Sequence, residues 1–301
     1  MSELASVFDA TLLHSTFRFA TPILLAALGG LLCERAGVFN IALEGLMLIG
    51  AFAAVVGSYH AGSVAGVGAA LLAGAAMAAV IALFAVGLKG DEIVVGIAVN
   101  LLAAGLTVFL LRVLFGVKGA FQDPRIEGLA KIRLPGIDRV PLLGDLLSGH
   151  SWLIYSSALL TGVLWLLLFH HPWGLRLRGA GEHPQAAATL GVDPRRTRAV
   201  AVIASGALCG LAGAQLSLGN VTLFVEGMSA GRGWIAVVAV LLGRAHPVGV
   251  AIACLVFGFT DSLGFRLQGR EIPSQFTAML PYVVTLIGLA VVESRRRRRK
   301  G

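Results

Sequence analysis

Eight long apolar runs constrain this chain more than any other feature. They are Phe19–Cys33, Ile41–Gly57, Ser63–Leu88, Ile93–Phe115, Ser151–His170, Ala199–Leu218, Val248–Phe265 and Phe276–Val292. About 20 apolar residues in a helix cross the roughly 30 Å hydrocarbon core of a bilayer. In lipid only helices and closed barrels satisfy every backbone group. The runs therefore predict an all-α integral membrane protein. Composition agrees, because 13% charged residues fall well short of the roughly 25% with which a soluble chain covers its surface. The 39 glycines fit helices that approach closely in a membrane.

A ninth stretch, Trp234–Leu242, is too short to cross alone, at about 14 Å for 1.5 Å per residue. It needs the preceding Asn220–Gly233, which contains Glu226, Arg232 and several glycines. A broken helix is expected there, giving about nine crossings. Charge sets the orientation. The Arg295–Lys300 tail (within residues 293–301) places the C-terminus in the cytoplasm. Counting back, the 171–198 segment is cytoplasmic too, with Arg176, Arg178, Arg195, Arg196 and Arg198 against Glu182 and Asp193. The 116–150 loop and the N-terminus then fall outside. Trp152, Trp173 and Trp234 sit near span ends, as an aromatic belt requires.

The net charge of +8 does not mark a nucleic-acid surface. Taking the six residues of Arg295–Lys300 from the 24 basic ones leaves 18 against 16 acidic. Cys33, Cys209 and Cys254 lie in separate apolar runs without metal or redox spacing, so they read as small core residues. The N-terminal MSELASVFDATLLHSTFR has neither a basic leader nor a small-residue cleavage site, and no removable signal peptide is expected. No G-x-x-x-x-G-K-[ST] loop or HExxH occurs, and the histidines lie at span ends or in loops. An enzyme is not expected, nor a metal or cofactor in this chain.

Two stretches resemble each other: Asn40-Ile-Ala-Leu-Glu44-Gly45 and Asn220-Val-Thr-Leu-Phe-Val-Glu226-Gly227, each after a Gly/Ala/Leu-rich span. The topology puts them on opposite sides, the mark of an inverted repeat. Carboxylates at membrane depth are costly and so are candidate functional groups. Glu44, Glu226 and Asp261 qualify, with Asn40, Asn100, Gln215 and Asn220 as polar partners. Two readings stand side by side. These residues line a solute pathway, or they brace: Glu44 and Asn40 at a helix start, Glu226 on Arg232, Asp261 beside Arg266.

In the cytoplasmic segment, Gln185–Leu190 forms an Ala-rich helix after Pro184, and Gly191 closes it. A helix this short is unstable alone, so packing or a partner must hold it. GEHPQAAATLGVDPRRTRAVAVIASGALCGLAGA (Gly181–Ala214) resembles the coupling-helix region of bacterial ABC-importer permeases of the branched-chain amino acid/simple-sugar superfamily. ERAGVFNIALEGLMLIGAF (Glu34–Phe52), DEIVVGIAVNLLAAGLT (Asp91–Thr107), FVEGMSAGRGWIAVVAVLLGRAHPVG (Phe224–Gly249) and IPSQFTAMLPYVVTLIGL (Ile272–Leu289) resemble the shorter permease subunit of basic-membrane-protein-type nucleoside importers.

That resemblance implies a single permease domain over residues 1–301 in a bacterial cell membrane. Cytoplasmic ATP-binding subunits would dock on Glu182, His183, Pro184, Ala187 and Gly191. A second, related permease and an extracytoplasmic substrate-binding protein would complete the importer. Asn40, Glu44, Asn100, Asn220 and Glu226 fall within the family's motifs as candidate pathway residues, with Phe39 or Phe224 as candidate stacking partners for a base. The implied solute is a nucleoside, with a simple sugar or branched-chain amino acid as the alternative. From a different class, an ion-coupled secondary transporter would use Glu44, Glu226 or Asp261 as its proton or cation site. A third reading is a membrane assembly subunit without transport.

Overall fold

The computed structural model describes residues 10–132, 148–267, 279 and 283. The expected Phe276–Val292 span, the Arg295–Lys300 tail and the middle of the 116–150 loop lie outside the described residues. Helix α1 is Ala10–Arg35, α2 Leu43–Ile81 with a π-helical continuation Ala82–Gly87, and α3 Glu92–Phe115. After the connection from residue 116 to 151 come α4 Trp152–His170, α5 Pro172–Glu182 and α6 Pro184–Thr189. Helix α7 is Pro194–Ala214, continued by a π-helical Gln215–Val221, followed by α8 Arg232–Leu242 and α9 Pro247–Leu267. Among the described residues six helices are long and apolar enough to cross a membrane, and α8 is a shorter apolar one. The chain is an α-helical, multi-pass membrane protein.

The chain is mostly helical, as expected, and two minimal strand ladders join its connections. Strands β1 Ala120–Phe121 and β4 Phe224–Val225 pair antiparallel, as do β2 Lys131–Ile132 and β3 His150–Ser151. Both ladders are two residues long and lie in connections, where the strand backbone can find partners without a sheet.

Helix ends follow their sequence. The Asp91 carboxylate accepts from Ile93 and Val94 N–H to start α3, and Gly116 at φ +69 ends it. The Asp193 carboxylate does the same for α7 through Arg195 and Arg196 N–H. Helix α2 is not straight: Ala61 and Gly62 leave helical geometry, Gly62 at φ +81. The break divides the 45-residue Leu43–Gly87 stretch close to the boundary expected between two spans. Glu127 of the connection between α3 and α4 supports it, its carboxylate accepting from Ser63 N–H at 3.3 Å.

The largest helix contact joins α2 to α7. A Cβ on Gly210 would strike the Ala70 carbonyl, one on Gly206 Ala78 and Gly74, and one on Gly213 the Met47 carbonyl. Glycine on α7 thus lets backbone meet backbone along both halves of α2, the packing that lipid favours when burial alone gives no drive. Helix α1 sits at the centre, with its most apolar window 83% buried against 22% for α3. Cys33, Cys209 and Cys254 are free and buried, as small core residues should be.

Candidate functional site

Between α1 and α2 the chain breaks at residues 36–42, leaving backbone donors without helical partners. Side chains from other elements fill the gap. Glu92 Oε2 accepts from Phe39 N–H at 2.5 Å, and Asn40 Oδ1 from Ala42 N–H at 3.0 Å. Asn100 Oδ1 accepts from Gly45 N–H at 2.7 Å while its Nδ2 donates to the Ile41 carbonyl at 3.0 Å. Asn40 Nδ2 reaches Ser205 Oγ on α7 at 3.3 Å.

Glu44 does the equivalent work for another helix. Its Oε1 accepts from Gly231 N–H at 2.8 Å and its Oε2 from Gly233 N–H at 2.7 Å. A carboxylate from the first turn of α2 therefore caps α8. The two helix starts abut: a Cβ on Gly233 would run into the Glu44 backbone. Each N-terminus carries about half a positive charge, so the carboxylate between them offsets their repulsion. Next to it Arg232 Nε lies 3.9 Å from Asp261 Oδ2 on α9. Glu44, Arg232 and Asp261 form a string of charge across α2, α8 and α9.

The structure gathers Asn40, Glu44 and Asn100 at one place and puts Asn220 and Glu226 elsewhere. Asn220 Nδ2 reaches the Arg18 carbonyl at 3.5 Å, and Arg18 Nη2 donates to the Asn220 carbonyl at 3.0 Å. Pro22 inside α1 has no N–H to offer that Arg18 carbonyl. Asn220 Oδ1 also accepts from Gln215 Nε2 at 3.2 Å. Glu226 extends the β1–β4 ladder, its Oε1 accepting from Gly119 N–H at 3.0 Å and its own N–H donating to the Gly119 carbonyl at 2.8 Å.

Three pairings expected from sequence are replaced. Glu226 binds Gly119 rather than Arg232, because the strand ladder turns it toward the connection after α3. Asp261 faces Arg232, whereas Arg266 reaches Thr11 Oγ1. Phe224 is fully buried, edge-on to Phe52 at 5.2 Å, and has no open face for a base. Phe39 is 36% exposed. In the connection between α3 and α4, Arg125 lies 3.0 Å from Asp123 and 4.0 Å above the Tyr59 ring. Its guanidinium holds the Asp123 carboxyl below the usual carboxylate range.

The 171–198 segment comprises two helices, not a loop with one. Helix α5, where no helix is expected from the sequence, is started by Pro172 and by His171 Nδ1 accepting from Trp173 N–H at 3.2 Å. Gly174, Leu177 and Ala180 form its buried face at a spacing of three, a signal hidden by its glycines and arginines. Glu182 ends it and His183, exposed, makes the corner. Pro184 opens α6, whose Ala187 is buried while Gln185, Ala186, Ala188 and Thr189 are exposed. The Ala187 carbonyl accepts from Leu190 and Val192 N–H, and Gly191 follows at φ +78, the left-handed closure expected. Cavities of about 370 Å³ and 580 Å³ flank the segment, the first beside Glu34, Gly37 and Glu182, the second beside Lys89, Glu92 and Pro184.

Glu92, Ser205, Gly231 and Gly233 were not singled out from sequence. The available signals were an acidic pair Asp91-Glu92 at a helix start and the Gly-rich Ser229–Gly233.

Residues 12–289 match the family described as branched-chain amino acid transport system / permease component. The chain is 37% identical to the guanosine ABC transporter permease protein NupQ of Bacillus subtilis (strain 168), over 91% of this chain and 89% of NupQ. It is 36% identical to the nucleoside ABC transporter permease protein NupC of Lactococcus lactis subsp. cremoris (strain MG1363), over 91% of this chain and 89% of NupC. It is also 36% identical to the putative glucose ABC transporter permease protein TsgC13 of Haloferax volcanii, over 95% of this chain and 88% of that protein. No solved structure matches it. Six apolar helices and a family match over nearly the whole chain lead to one assignment: the chain belongs to the permease-component family of ABC transporters.

Proposed function

We propose that this permease forms half of an ATP-driven importer in a bacterial cell membrane and that its solute is a nucleoside. The nucleoside reading is supported by the names of NupQ and NupC. The observation that carries the ATP-driven reading is the exposed α6 tip. Leu190 is 84% exposed beside a buried Ala187, so a short helix on a packed base presents an apolar side chain outward. A cytoplasmic ATP-binding subunit would cover Glu182–Gly191. A related permease would pair with this chain, and an extracytoplasmic binding protein would deliver solute to the outer loops. ATP hydrolysis would belong to the partner.

The topology proposed is nine crossings with the N-terminus outside. Six long helices, the Ala61–Gly62 break within one of them, the short α8 and the last apolar run support that count. Helix α8 is about 16 Å long at 1.5 Å per residue, roughly half a bilayer core. Its capped start would then lie near mid-membrane, where transporters place solute against broken helices. Asn40, Glu44 and Asn100 would hold the pathway wall in shape, with Glu44 the closest of them to α8. Asn220 and Glu226 would order the outer entrance.

A second reading, a simple sugar, is favoured by TsgC13. Uptake in cells with and without this gene distinguishes the cases. Tritiated guanosine uptake should vanish on deletion, survive collapse of the proton gradient and stop on ATP depletion. Uptake that follows the proton gradient instead would make the chain ion-coupled, and glucose uptake lost without loss of guanosine uptake would select the sugar.

A further inference from the structure

One side chain at the start of α7 ties together the ends of two other helices. Arg198 Nε donates to the Ala36 carbonyl at 3.1 Å, and Arg198 Nη2 to the Ala180 carbonyl at 3.1 Å. Ala36 directly follows α1 and opens the break that leads to α2. Ala180 lies in the last turn of α5, two residues before Glu182. Both are carbonyls near helix C-termini, which lack helical donors. A guanidinium supplies two donors in a fixed plane, which the single ammonium of lysine does not.

At the same point the backbones touch. A Cβ on Gly181 would strike the Arg35 carbonyl, and one on Gly37, at φ +73, would lie 2.9 Å from Gly181 Cα. Cavities of about 370 Å³ and 580 Å³ open on either side, so the contact at Gly37, Gly181 and Arg198 is a narrow bridge between spaces. Beyond Gly37 come the bonds already described: Phe39 to Glu92, Asn40 to Ser205, and Glu44 to the start of α8. Each link is a direct contact, so a shift of α5 and α6 has a continuous solid route to α8.

We propose that Arg198 is a positioning residue for transport, the strut that makes the Glu182–Gly191 segment and the α1–α2 break move as one body. This rests on the reading of the chain as an ATP-driven permease. Loss of the strut leaves the partner ATPase its docking site but disconnects that site from Glu44 and α8.

The test uses the assembled importer in proteoliposomes, measuring tritiated guanosine uptake and phosphate release together. Arg198→Lys and Arg198→Ala should assemble and hydrolyse ATP within about twofold of wild type, while guanosine moved per ATP falls about tenfold, the effect of one charged hydrogen bond differing between two states. Arg196→Lys, at an exposed residue paired with Asp193 at 3.2 Å, should leave that ratio unchanged. An unchanged ratio in both Arg198 variants, or a parallel fall of hydrolysis and uptake, overturns the strut. A wild-type assembly without ATP-dependent uptake overturns the reading beneath it instead. Should the variants not assemble, amide exchange in the wild-type importer decides. Trapping the ATPase with vanadate should alter exchange at 37–43 as well as at 182–191, and a change confined to 182–191 refutes the proposal.

Discussion

Glu44 shows how a charge can be kept at a helix start. Its two oxygens take one N–H each from Gly231 and Gly233, and a glutamine in its place has only one oxygen to offer. Glu44→Gln should therefore leave one donor of α8 unmet, at about 1–3 kcal/mol. We expect assembly to persist and uptake to fall by about tenfold, the rate equivalent of 1.4 kcal/mol. Normal uptake would reduce Glu44 to a brace. Asn100 offers the contrasting case, since Asn100→Leu orphans both the Gly45 N–H and the Ile41 carbonyl. The loss should be at least about 2 kcal/mol, seen as a lower unfolding temperature in detergent. The polar residues at the breaks were legible in the sequence as costly groups. What they bind was not, because the Gly231 and Gly233 donors stand almost two hundred residues from Glu44 and leave no periodic trace.

Among the elements, α7 depends most on small residues and α6 most on its ends. Gly210→Leu pushes a side chain into the Ala70 carbonyl where backbones meet. Overpacking typically costs about 1–3 kcal/mol, and here the obstacle is backbone, so thermal stability should drop and insertion should suffer. At the tip of the Glu182–Gly191 segment, Gly191 adopts φ +78, which proline near −65° does not reach. Gly191→Pro and Glu182→Arg should leave the folded protein in the membrane while uptake falls about tenfold or more. Uptake unaffected by both would remove the docking role of this segment. Long apolar runs exposed the spanning helices directly, and Gly62 sits at the seam of α2 near where two runs divide. Helix α5 stayed hidden because its buried face is made of Gly174, Leu177 and Ala180, of which only one is a large apolar residue. The two short ladders left no strand pattern, being set by contact across distant connections.

For the whole molecule, the charge asymmetry of the connections predicts one orientation. Residues introduced at the exposed positions 185 and 118 should be reachable from opposite sides of the membrane. The variants Gln185→Cys and Lys118→Cys, each adding one exposed thiol to the wild-type chain, test this in oriented vesicles with an impermeant maleimide. Labelling of both from the same face would break the nine-crossing topology. Membrane class was legible from hydrophobic run length, whereas the runs Ile41–Gly57 and Ser63–Leu88 join in one helical stretch broken at Ala61 and Gly62. The meeting of α2 with α8 was not legible, since it depends on how separate broken segments fold back on each other.

The burial of Cys33, Cys209 and Cys254 has a practical consequence for that experiment and others like it. A water-borne reagent finds no native thiol to modify in the folded protein, so wild type is already a silent background. Reporter positions can be added one at a time without first replacing native residues, and every signal then belongs to the site chosen.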